Sequence, residues 1–269
     1  LSSRNPDIDD LGAGKARMVL LNKSDLADER QNARWAAWFE DKGIHVVKVD
    51  ARNKGTLKQV QSVIQEACKE KIERDRRRGI LNRPIRTMVV GIPNVGKSTF
   101  INSFAGKACA KTGNKPGVTK GNQWIRLNKT LELLDTPGIL WPRFEDQTVG
   151  LHLALIGSIN DQILNREELA WELIGLLEQI YPGVLTERYG DAAEGETEDN
   201  SAWKELSKEE QNLKASRMLE RIAKNRACLM KGGELDLARA SALLLDEFRS
   251  GKLGKLSLEQ AQDYTDRVK

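Results

Sequence analysis

Gly91-Ile-Pro-Asn-Val-Gly-Lys-Ser98 is the segment whose residue types and spacing specify chemistry most directly. It lies between an apolar run, Ile85 to Val90, and a helical pattern opening near Lys97, the setting that a phosphate-cradling loop needs. Gly91 and Gly96 permit a tight loop whose backbone N–H groups point inward at phosphate oxygens, and the helix that follows adds its dipole. Asn94, Val95, Gly96, Lys97, Ser98 and Thr99 would line the phosphates, with Lys97 on the β- and γ-phosphates and the Ser98 hydroxyl on Mg2+. Such a loop binds a nucleotide without choosing its base.

Asn22-Lys-Ser-Asp25 addresses the base. One carboxylate, Asp25, can accept hydrogen bonds from both guanine N1–H and the 2-amino group. Adenine has no N1–H and would leave that charge buried and unpaired, a mismatch that discriminates by several powers of ten. The Lys23 stem can lie along the base plane, Ser24 sits between these two, and Asn22 can tie the loop to the phosphate loop. Asp50 and Ala51 end the next apolar run and form a second guanine-side loop. Asp135-Thr-Pro-Gly138 completes the set. An acid ending a strand can hold Mg2+ through a water, and the Gly138 N–H can bond a γ-phosphate only while that phosphate is present, which makes a switch. Within Gly113-Asn-Lys-Pro-Gly-Val-Thr119, Thr119 is the candidate that completes the Mg2+ shell; an ordinary turn is the competing reading.

Short strands must carry these loops. Ala16 to Leu21, Ile44 to Val49, Ile85 to Val90, Gln123 to Leu127 and Leu131 to Leu134 read as five strands with helices between them, which predicts an α/β domain with a largely parallel sheet. From about Phe144 the pattern is helical only. Leu169, Leu173, Leu176, Leu177 and Ile180 form one apolar stripe, and Leu237, Ala240, Leu244 and Phe248 another. The expected division is a nucleotide domain over 1–164 and an all-helical domain over 165–269, with a polar loop at 191–200. Composition sets the limits: 269 residues, 30% charged, 5% aromatic, net charge +4, three cysteines and two histidines. Neither a disulfide framework nor a zinc cluster is expected, a reducing cytoplasm is, and no apolar run approaches the ~20 residues of a membrane span.

The order of the motifs is unusual, because the guanine loops precede the phosphate loop and the switch acid comes last. With Leu1-Ser-Ser-Arg-Asn-Pro6, Gly138-Ile-Leu-Trp-Pro142 and Cys228-Leu-Met-Lys-Gly-Gly233, that order resembles the circularly permuted P-loop GTPases of bacterial ribosome assembly. The resemblance covers nearly the whole chain. It implies a Ras-like domain with a C-terminal helical domain, GTP and GDP as ligands, Mg2+, and a potassium ion beside the phosphates with Asn94 as its ligand. It also implies a late role in maturing the large (50S) ribosomal subunit, with GTP hydrolysis stimulated by that particle; slow hydrolysis by the protein alone, contact with rRNA and a monomeric protein are expected beside it. Lys97, Thr119 and Gly138 are the residues it assigns to catalysis. Family members carry an upstream strand and a histidine that this sequence lacks, so a vacancy is expected mid-sheet, between the strands of Met88 and Leu20. His45 and His152 match no such motif and are read as structural or solvated. Ile139 stands where many GTPases place a water-orienting Gln.

Two basic stretches are candidates for rRNA: Lys69 to Arg86, and a late set of Lys224, Arg226, Lys231, Arg249, Lys252 and Lys255. The competing reading of both is a solvated face. Because Trp141 and Pro142 join the switch directly to the helices, the γ-phosphate is expected to bias the helical domain. Three functions remain open from sequence: an RNA-directed assembly GTPase, a GTP-dependent protein-contact switch, and a non-hydrolysing RNA-binding scaffold.

Overall fold

The computed structural model describes residues 1–81, 83–110, 121–138, 140–141, 144, 146–190 and 203–265, except the side chains of residues 162 and 265. Five strands occur among them: β1 (Met18–Asn22), β2 (His45–Val49), β3 (Ile85–Val89), β4 (Gln123–Arg126) and β5 (Leu131–Asp135). β1 pairs in parallel with β2, while β3 pairs in parallel with β5 and β4 runs antiparallel to β5. No ladder joins β1 to β3 among the described residues, so the strands form a two-stranded and a three-stranded sheet.

Helices α1 (Ile8–Leu11), α2 (Glu29–Glu40), α3 (Lys54–Ala67), α4 (Lys69–Arg77) and α5 (Lys97–Ala105) accompany these strands. Short polar side chains start two of them. Asp28 accepts from the Arg30 N–H at 2.8 Å and Asn53 from the Gly55 N–H at 2.9 Å, satisfying donors the helix leaves open. The 3.6-residue spacing of Leu57, Val60 and Ile64 buries one face of α3. That face joins Val47 and Val49 of β2, Phe100 and Ile101 of α5, Ile125 of β4, and Leu131 and Leu133 of β5 in a single cluster. Each such side chain contributes about 1.5–3 kcal/mol by leaving water. The apolar core therefore spans both sheets where no ladder does.

The chain divides into two compact units, Leu1–Val149 with Glu259–Lys269, and Gly150–Leu258. This departs from the division expected at 164/165 in two ways. Leu155 and Ala154, near the end of α6 (Gln147–Leu155), belong to the core of the second unit, which begins at Gly150. The last segment belongs with the first unit because its polar groups are anchored there. The half-buried Glu259 carboxylate accepts from the Ser2 N–H at 3.1 Å and from the Ser2 and Tyr264 hydroxyls at 2.8 Å each. The Trp35 indole donates to the Glu259 carbonyl at 3.3 Å and stacks at a tilt on Tyr264.

The second unit is built from α6, α7 (Arg166–Ile180), α8 (Val184–Tyr189), α9 (Lys208–Asn225) and α10 (Leu237–Arg249); the short helix α11 (Gln262–Thr265) lies in the first. Leu173, Ile174, Leu177, Leu219, Ile222, Ala240 and Leu244 are fully enclosed in its core. Ser207 and Glu210 cap α9 reciprocally. Two members of the late basic set are not surface cations. Arg249 donates to the Leu155 and Ala154 carbonyls at 2.8 Å each, closing the C-terminal turn of α6, and grips both Asp161 carboxylate oxygens at 2.7 and 2.9 Å. Arg226 lies over the Tyr189 ring and 3.5 Å from Glu247. Lys231, Lys252 and Lys255 stay exposed. No described helix is long and apolar enough to cross a membrane.

Arg249→Met would strand the Asp161 charge and two carbonyls. It should lower the stability of this unit by about 3 kcal/mol, read as a shift in the urea midpoint. An unshifted midpoint would mean that these contacts do not hold the helices.

Candidate functional site

β3 and β5 run parallel with Val89 in register with Asp135, so the loop after β3 and the acid ending β5 leave the sheet at one level. Thr136 fastens that junction, its hydroxyl donating to the Val89 carbonyl at 2.7 Å. The loop after β3 enters α5 through Gly96, at φ 92°, with Asn94 also in the left-handed region at φ 62°. Lys97 curls back over this loop, donating to the Gly91 and Ile92 carbonyls at 2.8 Å each. Burial pushes the Lys97 ammonium below its ordinary pKa, partly countered by Asp135. It pushes the Asp135 carboxyl above its own, partly countered by Lys97. Desolvation thus disfavours both charges, and a ligand that brings counter-charges relieves both.

Gly138 lies against the loop. A Cβ there would come within 2.7 Å of the Pro93 backbone and 2.8 Å of Lys97 Nζ, so only glycine fits.

The base-side loops meet the phosphate loop through Asn22. Its amide donates to the Val95 carbonyl at 2.7 Å and accepts from the Ala51 N–H at 3.1 Å. Ser24 N–H donates to the Val49 carbonyl at 3.2 Å, holding the Asn22-to-Asp25 loop on the end of β2. Lys23 takes a left-handed φ of 57°. A Cβ on Gly96 would come 2.4 Å from Asn22 Nδ2, so the second loop glycine is needed for this approach as well as for its backbone angle. Asp25 Oδ1 is buried and has no hydrogen-bond partner among the described residues. An acceptor left open in that way suits donors brought by a ligand.

Asp135 Oδ1 is likewise buried without a partner among the described residues. With the Ser98 hydroxyl in the first turn of α5, it supplies hard oxygen donors of the kind Mg2+ takes, so the residues present fit that ion. Thr119 and Ile139 fall outside the described residues, as do Pro142 and residues 191–200. His152 is buried on α6 and His45 exposed on β2, the structural and solvated placements read for them. Sequence reasoning missed Arg52. Its guanidinium donates to Asp25 at 2.6 Å and to Asp50 at 3.3 Å, joining the two base-side loops. The available signal was a cation directly after Ala51, two positions beyond the loop acid Asp50.

Known proteins place this geometry. A family described as MMR_HSR1, a 50S ribosome-binding GTPase, matches residues 86–177. Ribosome biogenesis GTPase A of Bacillus cereus is 43% identical over 268 residues, covering 100% of this chain and 85% of the relative. The protein of that name from Thermotoga maritima is 31% identical, covering 93% of this chain and 79% of the relative. This chain belongs to the ribosome biogenesis GTPase A family. It is a GTPase with the α/β P-loop GTPase fold. A solved structure, GDP-bound TM YlqF, superposes with a TM-score of 0.62 at 25% identity, covering 98% of this chain and 90% of that one.

Asn22→Ala would remove both ends of the tie and leave a carbonyl and an N–H without their partner. At about 1–3 kcal/mol for each group so stranded, GDP binding should weaken by about tenfold or more, measured with a fluorescent analogue. Unchanged affinity would separate the tie from nucleotide binding.

Proposed function

We propose that this protein is a circularly permuted GTPase that acts in late maturation of the large ribosomal subunit, through contact of its helical part with rRNA. The Asn22 bridge carries the nucleotide half of the reading. A guanine-type loop that precedes the phosphate loop in the chain is bonded to it in space, as the permuted order requires. Relatives named for ribosome biogenesis support the other half, together with exposed Lys231, Lys252 and Lys255 suited to phosphates.

In this reading Asp25 accepts from the guanine edge, with Lys23 and Ser24 beside it and Asp50 and Ala51 forming the second base-side loop. The backbone of Asn94, Val95, Gly96, Lys97, Ser98 and Thr99 cradles the phosphates, and Asn94 is the residue assigned to a potassium ion. Lys97 balances the β- and γ-phosphate charge, and the Gly138 N–H meets the γ-phosphate. Ser98, Thr119 and, through a water, Asp135 would hold Mg2+, which neutralises charge developing on the phosphates when bound. Ile139 has no polar group with which to orient water, so hydrolysis waits on a group from the ribosomal particle. The nucleotide domain is taken as Leu1–Val149 with Glu259–Lys269 and the helical RNA-binding domain as Gly150–Leu258, in a monomeric cytoplasmic protein.

Two measurements test this. Single-turnover GTP hydrolysis should accelerate by about tenfold or more when large subunits are added. Large-subunit binding should be tighter with a non-hydrolysable GTP analogue than with GDP. It should fall for Lys252→Glu with Lys255→Glu while nucleotide affinity of the isolated protein holds. Equal binding in both nucleotide states would defeat the switch, and an unaffected double variant would remove these lysines from the RNA surface.

A further inference from the structure

Arg52 lies on a surface loop with its side chain 68% exposed, where an arginine ordinarily has no fixed role. Here it makes three contacts with the acids of the two base-side loops. Its N–H and Nε donate to Asp50 Oδ1 at 2.9 and 3.3 Å, and its Nη2 donates to Asp25 Oδ2 at 2.6 Å. The other Asp25 oxygen, Oδ1, is buried and unpartnered among the described residues. One oxygen of the Asp25 carboxylate is therefore held by a single N–H of a guanidinium that is itself anchored on Asp50, while the other oxygen stays open.

We infer that Arg52 is a positioning residue for base recognition, fixing the plane of the Asp25 carboxylate from its outer oxygen so that it meets a guanine edge already oriented. The inference rests on the proposed reading of Asp25 as the guanine acceptor. Each carboxylate oxygen has two lone-pair sites, so the Arg52 contact need not be broken when the base binds. A carboxylate free to rotate would lose that freedom on binding, whereas one held in advance has little to lose. The Ala51 N–H, one residue before Arg52, donates to Asn22. The backbone that carries Arg52 is thus itself tied to the loop that carries Asp25. Arg52 adds little to folding, because an exposed ion pair is screened by solvent. Its effect falls on affinity.

The test is a double-mutant cycle read by fluorescent-nucleotide displacement, with urea midpoints recorded alongside. Arg52→Ala should weaken GDP by about tenfold with an unchanged midpoint. Arg52→Lys should recover part of that loss, since a point charge lacks the planar fork. Asp25→Asn should exchange GDP for xanthosine diphosphate, whose 2-oxo group needs a donor. In that neutral-amide background Arg52→Ala should cost less than about twofold in xanthosine diphosphate affinity. If Asp25→Asn makes no exchange, the guanine reading itself falls and the inference with it. If the exchange occurs but Arg52→Ala leaves GDP affinity unchanged, only the role of Arg52 is overturned. An equal loss in both backgrounds would place Arg52 with Asp50 in loop stability, and would also overturn it.

Discussion

Asn22 commits both ends of its amide to main-chain partners from other loops, the Val95 carbonyl at 2.7 Å and the Ala51 N–H at 3.1 Å. No ladder links β1 to β3 among the described residues, and the shared apolar core is non-directional: it holds the two sheets near each other without setting their register. Asn22 adds directional contact at the strand ends. Gly96 is part of the same constraint, because a Cβ there would come 2.4 Å from Asn22 Nδ2. The Asn22 amide and the missing methyl at Gly96 thus help position the base-side loops against the phosphate loop.

The charged groups of the site are incompletely compensated by the protein's own described residues. Burial disfavours the Lys97 ammonium and the Asp135 carboxylate, and each is the other's main compensation. Asp135 Oδ1 and Asp25 Oδ1 are buried acceptors without protein partners among the described residues. A folded protein keeps such groups where a ligand completes them, since an unsatisfied buried acceptor otherwise only costs stability. In the proposed reading, anionic phosphates with their cation would answer the first pair, and the N–H groups of a purine edge the last.

Much of this was legible in the sequence because it is local. The five strands follow from short apolar runs ending in polar loops, and the glycines and lysine of the phosphate loop from spacing alone. The helices of the second unit follow from stripes such as Leu169, Leu173 and Leu177. What stayed hidden depends on partners distant in the chain. A row of cations does not disclose which are consumed internally, and Arg249 is taken by α6 and Asp161 while Lys252, three residues on, is exposed. Arg52 went unread for the same reason, its partner Asp25 lying 27 positions away. The return of the 259–265 segment to the first unit rests on Glu259 meeting Ser2 and on Tyr264 meeting Trp35, contacts that no periodicity encodes.

Competition among nucleoside diphosphates on the wild-type protein most directly tests whether Asp25 reads the base in a site assembled by Asn22. GDP should displace a bound fluorescent analogue most readily. The inosine nucleotide, which keeps N1–H but lacks the 2-amino group, should fall between, and ADP should be weaker than GDP by several powers of ten. ADP competing within about tenfold of GDP would contradict base recognition by Asp25 and leave a phosphate loop that binds nucleotides without distinction.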